Sequence, residues 1–178
     1  AVTETMIQAL SRLFRYNLKS TASVMPLERE LKVVQDYMYL QQMRFGKRVR
    51  YETDCAPETM EILVPSFMLQ PLVENAVKHG ISARSKGGRI VVRTWKQGQR
   101  LWISVADTGE GIDEDKLEKI KRALKEGDGS GVGIGLGNIA RRLKAMYEDG
   151  EVRIESRKGC ATVVQLAFTP ENCKEDEP

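Results

Sequence analysis

The sequence has one histidine, His79, and three widely spaced cysteines, Cys55, Cys160 and Cys173, among 178 residues. There is no C-x-x-C pair. A structural zinc site needs four nitrogen or sulfur ligands and a disulfide framework needs paired cysteines, so neither is expected. The cysteine usage fits a reducing compartment. No run approaches the roughly 18 apolar residues of a membrane helix, and no signal-peptide pattern is read around Thr3, Glu4 and Gln8. Charge of one sign does not dominate either. Lys and Arg number 28 against 25 Asp and Glu, and the net +3 is too small to mark a nucleic-acid partner. Internal repeats and low-complexity segments are missing. What remains, 41% hydrophobic and 30% charged, describes one globular domain or a domain with a short helical extension.

Charge is uneven along the chain. Residues 1–50 carry nine Lys or Arg and four acids, whereas Glu171, Glu175, Asp176 and Glu177 make the tail 171–178 acidic. The tail is expected to fray. Residues 4–18 read as a helix with Met6, Ile7, Leu10, Leu13, Phe14 and Leu18 on one face. After a break at 19–26, a second helix is expected over 27–45, opened by Pro26 and closed by Gly46. Both stripes suit packing against each other or against a partner helix.

Beyond Gly46 helices and strands alternate. Strands are expected at 49–53, 89–95, 101–106, 152–156 and 162–168. Gly98 and Gly159 mark two hairpin turns. Helices are expected at 66–78, 113–125 and 136–148. This order predicts an α+β fold, a two-layer α/β sandwich with helices on one face of the sheet and a wetter opposite face.

Three stretches carry the chemistry. Glu74-Asn75-Ala76-Val77-Lys78-His79-Gly80 closes a helix and groups Asn75, Lys78 and His79 on its last turns. An amide oxygen suits Mg²⁺, and Lys78 and His79 suit phosphate or ribose. Asp107-Thr108-Gly109-Glu110-Gly111-Ile112 follows a strand directly. Its glycines let backbone approach a flat ligand, and its carboxylate can accept from an amino group such as that of adenine. Glycines at 129, 131, 133, 135 and 137 then lead into a helix, a phosphate-binding arrangement. The segment before that run is charged and helical, and no G-K-[ST] follows, so neither a dinucleotide fold nor a P-loop is indicated. Taken singly, the three stretches also read as a solvated helix face, an Asp-x-Gly turn and a glycine linker.

In this order the three stretches resemble the N, G1 and G2 boxes of the GHKL ATPase/kinase superfamily (gyrase, heat-shock protein 90, histidine kinase, MutL), and most of all the catalytic domain of a bacterial sensor histidine kinase. Leu69-Gln70-Pro71-Leu72-Val73-Glu74-Asn75 and Gly135-Leu136-Gly137-Asn138-Ile139-Ala140-Arg141-Arg142-Leu143 look like the LytS/YehU-like group. So do Leu13-Phe14-Arg15-Tyr16 and Leu27-Glu28-Arg29-Glu30-Leu31. The likeness spans about residues 10–170. It implies the Bergerat/GHKL ATP-binding fold preceded by two helices. Residues 1–46 would be the remainder of a dimerisation and phosphotransfer region, and 47–170 the catalytic domain.

The likeness implies roles as well. ATP and Mg²⁺ are the implied cofactors. Asn75 would ligate the metal, with Glu74 and Lys78 beside it as catalytic candidates. Lys78 and His79 would face phosphates and ribose. Asp107 would read the adenine amine, with Gly109, Gly111 and Ile112 around the base and Thr162 supporting Asp107 through water. Gly131, Gly133, Gly135, Leu136, Gly137 and Asn138 would line the phosphates as the ATP lid closes. Two departures stand out. Ala161 replaces a glycine usual before the last strand, and no F-box phenylalanine is evident in the lid.

The hydrolytic members carry a water-activating glutamate four residues before the metal asparagine. Pro71 occupies that position here and cannot act as a base, which favours phosphoryl transfer over hydrolysis. His79 lies on the nucleotide-site helix, so the phospho-acceptor histidine is expected upstream of this chain, which begins Ala-Val. The reading is a kinase catalytic domain serving a response regulator. A homodimer anchored in the membrane, with this part on the cytoplasmic side, would be the full-length form. An ATP-gated interaction module without catalysis and a serine/threonine anti-sigma-type kinase are the alternatives.

Overall fold

The computed structural model describes residues 2–19, 24–82, 84–126 and 134–170. α1 (Val2–Lys19) and α2 (Leu27–Phe45) pack on each other. Arg12 of α1 grips Asp36 of α2 in a bidentate pair, with both contacts at 2.6 Å. α1 buries Ala9 and Leu13, while Ile7, Leu10 and Phe14 stand 60%, 59% and 65% exposed. The apolar residues expected on one face therefore divide: Leu13 faces α2, and Ile7, Leu10 and Phe14 face outward.

The connection between the helices contains a strand that sequence periodicity did not reveal. β1 (Val24–Pro26) pairs antiparallel with β3 (Leu63–Pro65). Three residues are too few to display a period of two. Two further backbone bonds, from Leu27 N to Ile62 O and Glu28 N to Met60 O, continue the junction into α2.

The main sheet has the order β2-β4-β5-β7-β6. Its strands are β2 (Val49–Cys55), β4 (Gly88–Gln97), β5 (Arg100–Asp107), β6 (Glu151–Arg157) and β7 (Ala161–Phe168). The pairings β4–β5, β5–β7 and β6–β7 are antiparallel, whereas β2 lies parallel to β4. A parallel pair needs a long crossover. Here β3 and α3 (Leu69–Asn75) supply it, followed by a wider π-type turn at Ala76–Ile81. α4 (Glu114–Glu126) and α5 (Ile134–Met146) complete the helical layer. Leu69 and Leu72 of α3, Leu117 and Ile120 of α4, and Ile139 and Leu143 of α5 share one core with Ile90, Ile103, Leu166 and Phe168 of the sheet. Leu27, Val34 and Met38 of α2 belong to that same core.

One expectation is corrected and another made more specific. The helix expected from Ser66 begins at Leu69, because Phe67 has φ 58° and interrupts it. The outer face of the sheet is wetter than the helix-covered face, as expected, but it carries one aromatic patch. Trp95 and Trp102 stack at 5.8 Å, and the guanidinium groups of Arg100 and Arg153 lie over Trp102, which is buried in consequence.

Candidate functional site

The site forms where α3 and its π-type turn meet the C-terminal end of β5. Alternation along β5 points Leu101, Ile103 and Val105 toward the helices, so Asp107 points the same way. The fold thus carries a carboxylate to the edge of an apolar core. Asp107 is 7% exposed, and burial pushes its carboxyl up to about 6, against the lowering effect of the Gly109 N–H that donates to Oδ1 at 2.8 Å.

Gly80 belongs to the turn facing this carboxylate and does not end the helix as the sequence suggested, since the turn continues to Ile81. A Cβ at Gly80 would stand 2.4 Å from Asp107 Oδ1. Only glycine permits that approach. Gly80 O in turn accepts from Glu110 N at 3.1 Å, and Gly159 N donates to Glu110 O at 2.6 Å. Gly111 has φ 65°, and a Cβ there would meet Arg157 O at 2.0 Å. The loop after β5 is thereby clamped between the π-type turn and the β6–β7 hairpin.

A cavity of about 400 Å³ opens above these groups. Of the residues singled out in the sequence, Asn75, His79, Asp107, Gly111, Ile112, Leu136 and Thr162 line it. Thr162 stands directly across from Asp107 in the β5–β7 register. Its hydroxyl bonds to Ser156 Oγ at 2.8 Å, and Ser156 Oγ also accepts from Ile112 N at 2.9 Å.

Other predicted residues lie off the cavity lining. Glu74 accepts from Gln70 Nε2 at 2.7 Å, and Lys78 is exposed with its carbonyl taken by Ser82 Oγ. Gly109 sits behind Asp107 against Gly80. Gly135 lies against the other side of Asn75, where a Cβ would come 3.5 Å from Nδ2. Gly137 is buried in α5, and exposed Asn138 accepts from Arg141. Gly131, Gly133 and the acidic tail fall outside the described residues.

Several contributors carried no sequence signal. Lys116 and Ile120 of α4, Ile154 of β6 and Val164 of β7 are also part of the lining. Arg84 braces the loop after β5 from outside, donating to Thr108 O at 2.7 Å and Gly109 O at 3.0 Å. An isolated arginine gives no pattern, and these contacts join residues 24 and 25 positions apart. Among the described residues no three His, Cys, Asp or Glu side chains converge on a metal ion. The donor set suits instead a cation that arrives already bound to phosphate oxygens and takes one amide oxygen from the protein.

Residues 65–172 match the family model described as histidine kinase-, DNA gyrase B- and HSP90-like ATPase, and residues 1–49 match the histidine kinase model. The sensor protein LytS of Staphylococcus saprophyticus is 38% identical over 145 residues, covering 81% of this chain and 24% of its own length. The sensor histidine kinase YpdA of Escherichia coli K12 is 35% identical over 148 residues, covering 82% and 25%. This chain therefore spans about a quarter of these relatives. Among solved structures, the histidine kinase domain of a blue-light activated kinase from Erythrobacter litoralis EL346 superposes with a TM-score of 0.59 at 17% identity, covering 96% of this chain and 75% of its own. Full-length ShkA, solved with AMPPNP, gives 0.60 at 22% identity, covering 93% and 35%.

Proposed function

This chain belongs to the histidine kinase-, DNA gyrase B- and HSP90-like ATPase family, and from that membership we propose that it is the ATP-binding catalytic part of a sensor histidine kinase. Its task is to present the γ-phosphoryl of ATP to a histidine upstream of this chain. The observation that carries the reading is Asp107, a buried carboxylate at the base of a largely apolar cavity, with one oxygen satisfied by Gly109 N–H and Gly80 cleared of side chain beside it.

The second oxygen of Asp107 would accept the adenine amine, and Val105, Ile112, Leu136 and Ile154, which line the cavity, would pack against the base. Asn75 at the end of α3 would offer its amide oxygen to Mg²⁺, and His79 and Lys116, both on the cavity wall, would flank the sugar and phosphates. A metal held there would supply charge neutralisation for the transferring phosphoryl group. Pro71, one turn before Asn75, leaves no base at the water-activating position. The protein's contribution is positioning, with transfer to a protein side chain favoured over hydrolysis.

The partners are a response regulator and a second copy of the full-length protein. The exposed row Ile7, Leu10 and Phe14 on α1 supports the homodimer. Residues 1–46 are the remainder of the phosphotransfer region, and 47–170 the nucleotide domain. No helix among the described residues is long and apolar enough to cross a membrane; membrane anchoring belongs to the full-length protein, with this part on the cytoplasmic side.

The test compares this chain with a longer one that includes the upstream helix, each given radiolabelled ATP and Mg²⁺. Acid-labile label is expected on a histidine of the upstream helix and none within the 178 residues. Rapid steady ATP hydrolysis by this chain, or label on it alone, would refute the reading.

A further inference from the structure

α3 carries Asn75 at one end, and distant parts of the chain build its other end. Phe67, at φ 58°, turns the backbone so that three successive N–H groups face α2. Phe67 donates to Glu30 Oε1 at 2.9 Å, and Met68 and Leu69 each donate to Glu30 Oε2 at 3.0 Å. Glu30 is 1% exposed. The Tyr16 hydroxyl of α1 donates to the same Oε1, and it also accepts from Phe67 N at 2.9 Å. The rings of Tyr16 and Phe67 meet at 4.4 Å. From α5, Arg142 donates to Ser66 O at 2.6 Å. Three helices, α1, α2 and α5, therefore converge on residues 66–69, where α3 begins.

A carboxylate removed from water persists only when its lone pairs are filled. Here three backbone donors and one phenol fill them, and the N-terminal end of α3 adds a favourable dipole. Burial and the adjacent Glu30 charge hold the Tyr16 phenol above its ordinary value, so it stays a donor.

The two ends of the α3 unit are held separately. Gly80, at the far end, is fixed by Glu110 N and by its contact with Asp107. That end serves adenine. Asn75 lies between the two anchors, and its placement depends on both.

We propose that Tyr16 and Glu30 are positioning residues for Asn75, through which the docking of α1 and α2 sets the metal and phosphate end of the nucleotide site. The proposal rests on the nucleotide-site reading above. By linkage, occupancy of that end and docking of α1 favour each other by the same factor. Arg142 brings α5, the helix that follows the glycine run, to the same junction.

The test uses Tyr16→Phe, which keeps the ring against Phe67 and removes only the hydroxyl. Two affinities are measured in the 178-residue chain: AMP-PNP with Mg²⁺, and adenosine without metal. The variant should weaken Mg²⁺–AMP-PNP about fivefold, the size of one lost buried hydrogen bond, and leave adenosine unchanged. Glu30→Gln should have the larger effect in the same direction. Tyr16→Phe combined with Arg142→Lys should be non-additive for Mg²⁺–AMP-PNP, because both act on residues 66–67.

A purely structural role would lower the melting temperature and leave the ratio of the two affinities constant, and that result overturns the proposal. An unchanged ratio in Tyr16→Phe, with wild-type binding of both ligands intact, overturns it alone. Failure of the wild-type chain to bind either ligand overturns the nucleotide-site reading and this proposal with it.

Discussion

Asp107 lines the candidate cavity, and burial there penalises its charged form. Its carboxyl titrates near 6 in the folded chain against an ordinary 3.8, because burial penalises the anion. Between roughly pH 4 and 6 the folded state therefore holds a proton that the unfolded chain has released. The stability this group contributes falls as pH rises through that window, by about 1.4 kcal/mol for each pH unit, and the full cost is felt above pH 6. Asp107→Asn removes the charge and keeps the acceptor for Gly109 N–H. It should raise stability by about 1–3 kcal/mol at pH 7 and by much less at pH 4, measured by urea unfolding at both values. The same variant should abolish nucleotide binding; unchanged ATP affinity would defeat the site assignment. For the wild type, ligand affinity should fall about tenfold between pH 7 and pH 5 as the acceptor is protonated, readable by calorimetric titration.

Among the elements, the π-type turn at Ala76–Ile81 is the least predictable from local signals and the most consequential. The sequence reads there as a helix ended by glycine. The structure uses Gly80 because the carboxylate of a strand 27 residues later occupies the space of a Cβ. Gly80→Ala should cost about 1–3 kcal/mol of stability through overpacking. It should reduce nucleotide affinity more sharply than Gly98→Ala, whose glycine sits in an open hairpin turn with nothing within 4 Å. Paired unfolding and binding measurements on the two variants check this. Boundaries of α2, α4 and both hairpins were legible to within two residues, because caps, turn glycines and apolar spacing are local. The β1–β3 pair was not, because three-residue strands are recognised only through the partner they meet.

Across the whole molecule, α2 contributes Leu27, Val34 and Met38 to the core that the sheet shares with α3, α4 and α5. The leading helices are therefore joined to the site by common packing and by the Glu30 junction. Ligand that binds only the folded state stabilises all of it. A non-hydrolysable ATP analogue at a hundred times its Kd should add about 2.7 kcal/mol, a rise in Tm of about 5–10 °C for a chain of this size. The shift should shrink when Mg²⁺ is withheld, and in Asn75→Ala it should become insensitive to Mg²⁺. A Tm that ignores the nucleotide would count against the cavity as its site.

The candidate site was legible only as three local stretches taken in order: a carboxylate after a strand, an asparagine at a helix end and glycines before a helix are each ordinary alone, and it is their succession along the chain that points to one chemistry. Asp107, Asn75 and Thr162 could be named from the chain alone, and the fold brings them to one cavity. Tertiary structure decided what surrounds them. Lys116, Ile154 and Val164 line the cavity, Arg84 braces the loop, and Glu30 with Tyr16 ends α3, all through contacts between residues far apart in sequence. It also turned the apolar residues of α1 to two sides, since helical spacing states which residues lie on a face but not which neighbour that face will meet. Local chemistry is written in order along a chain. Burial, clearance and mutual support depend on which distant segments come to lie side by side.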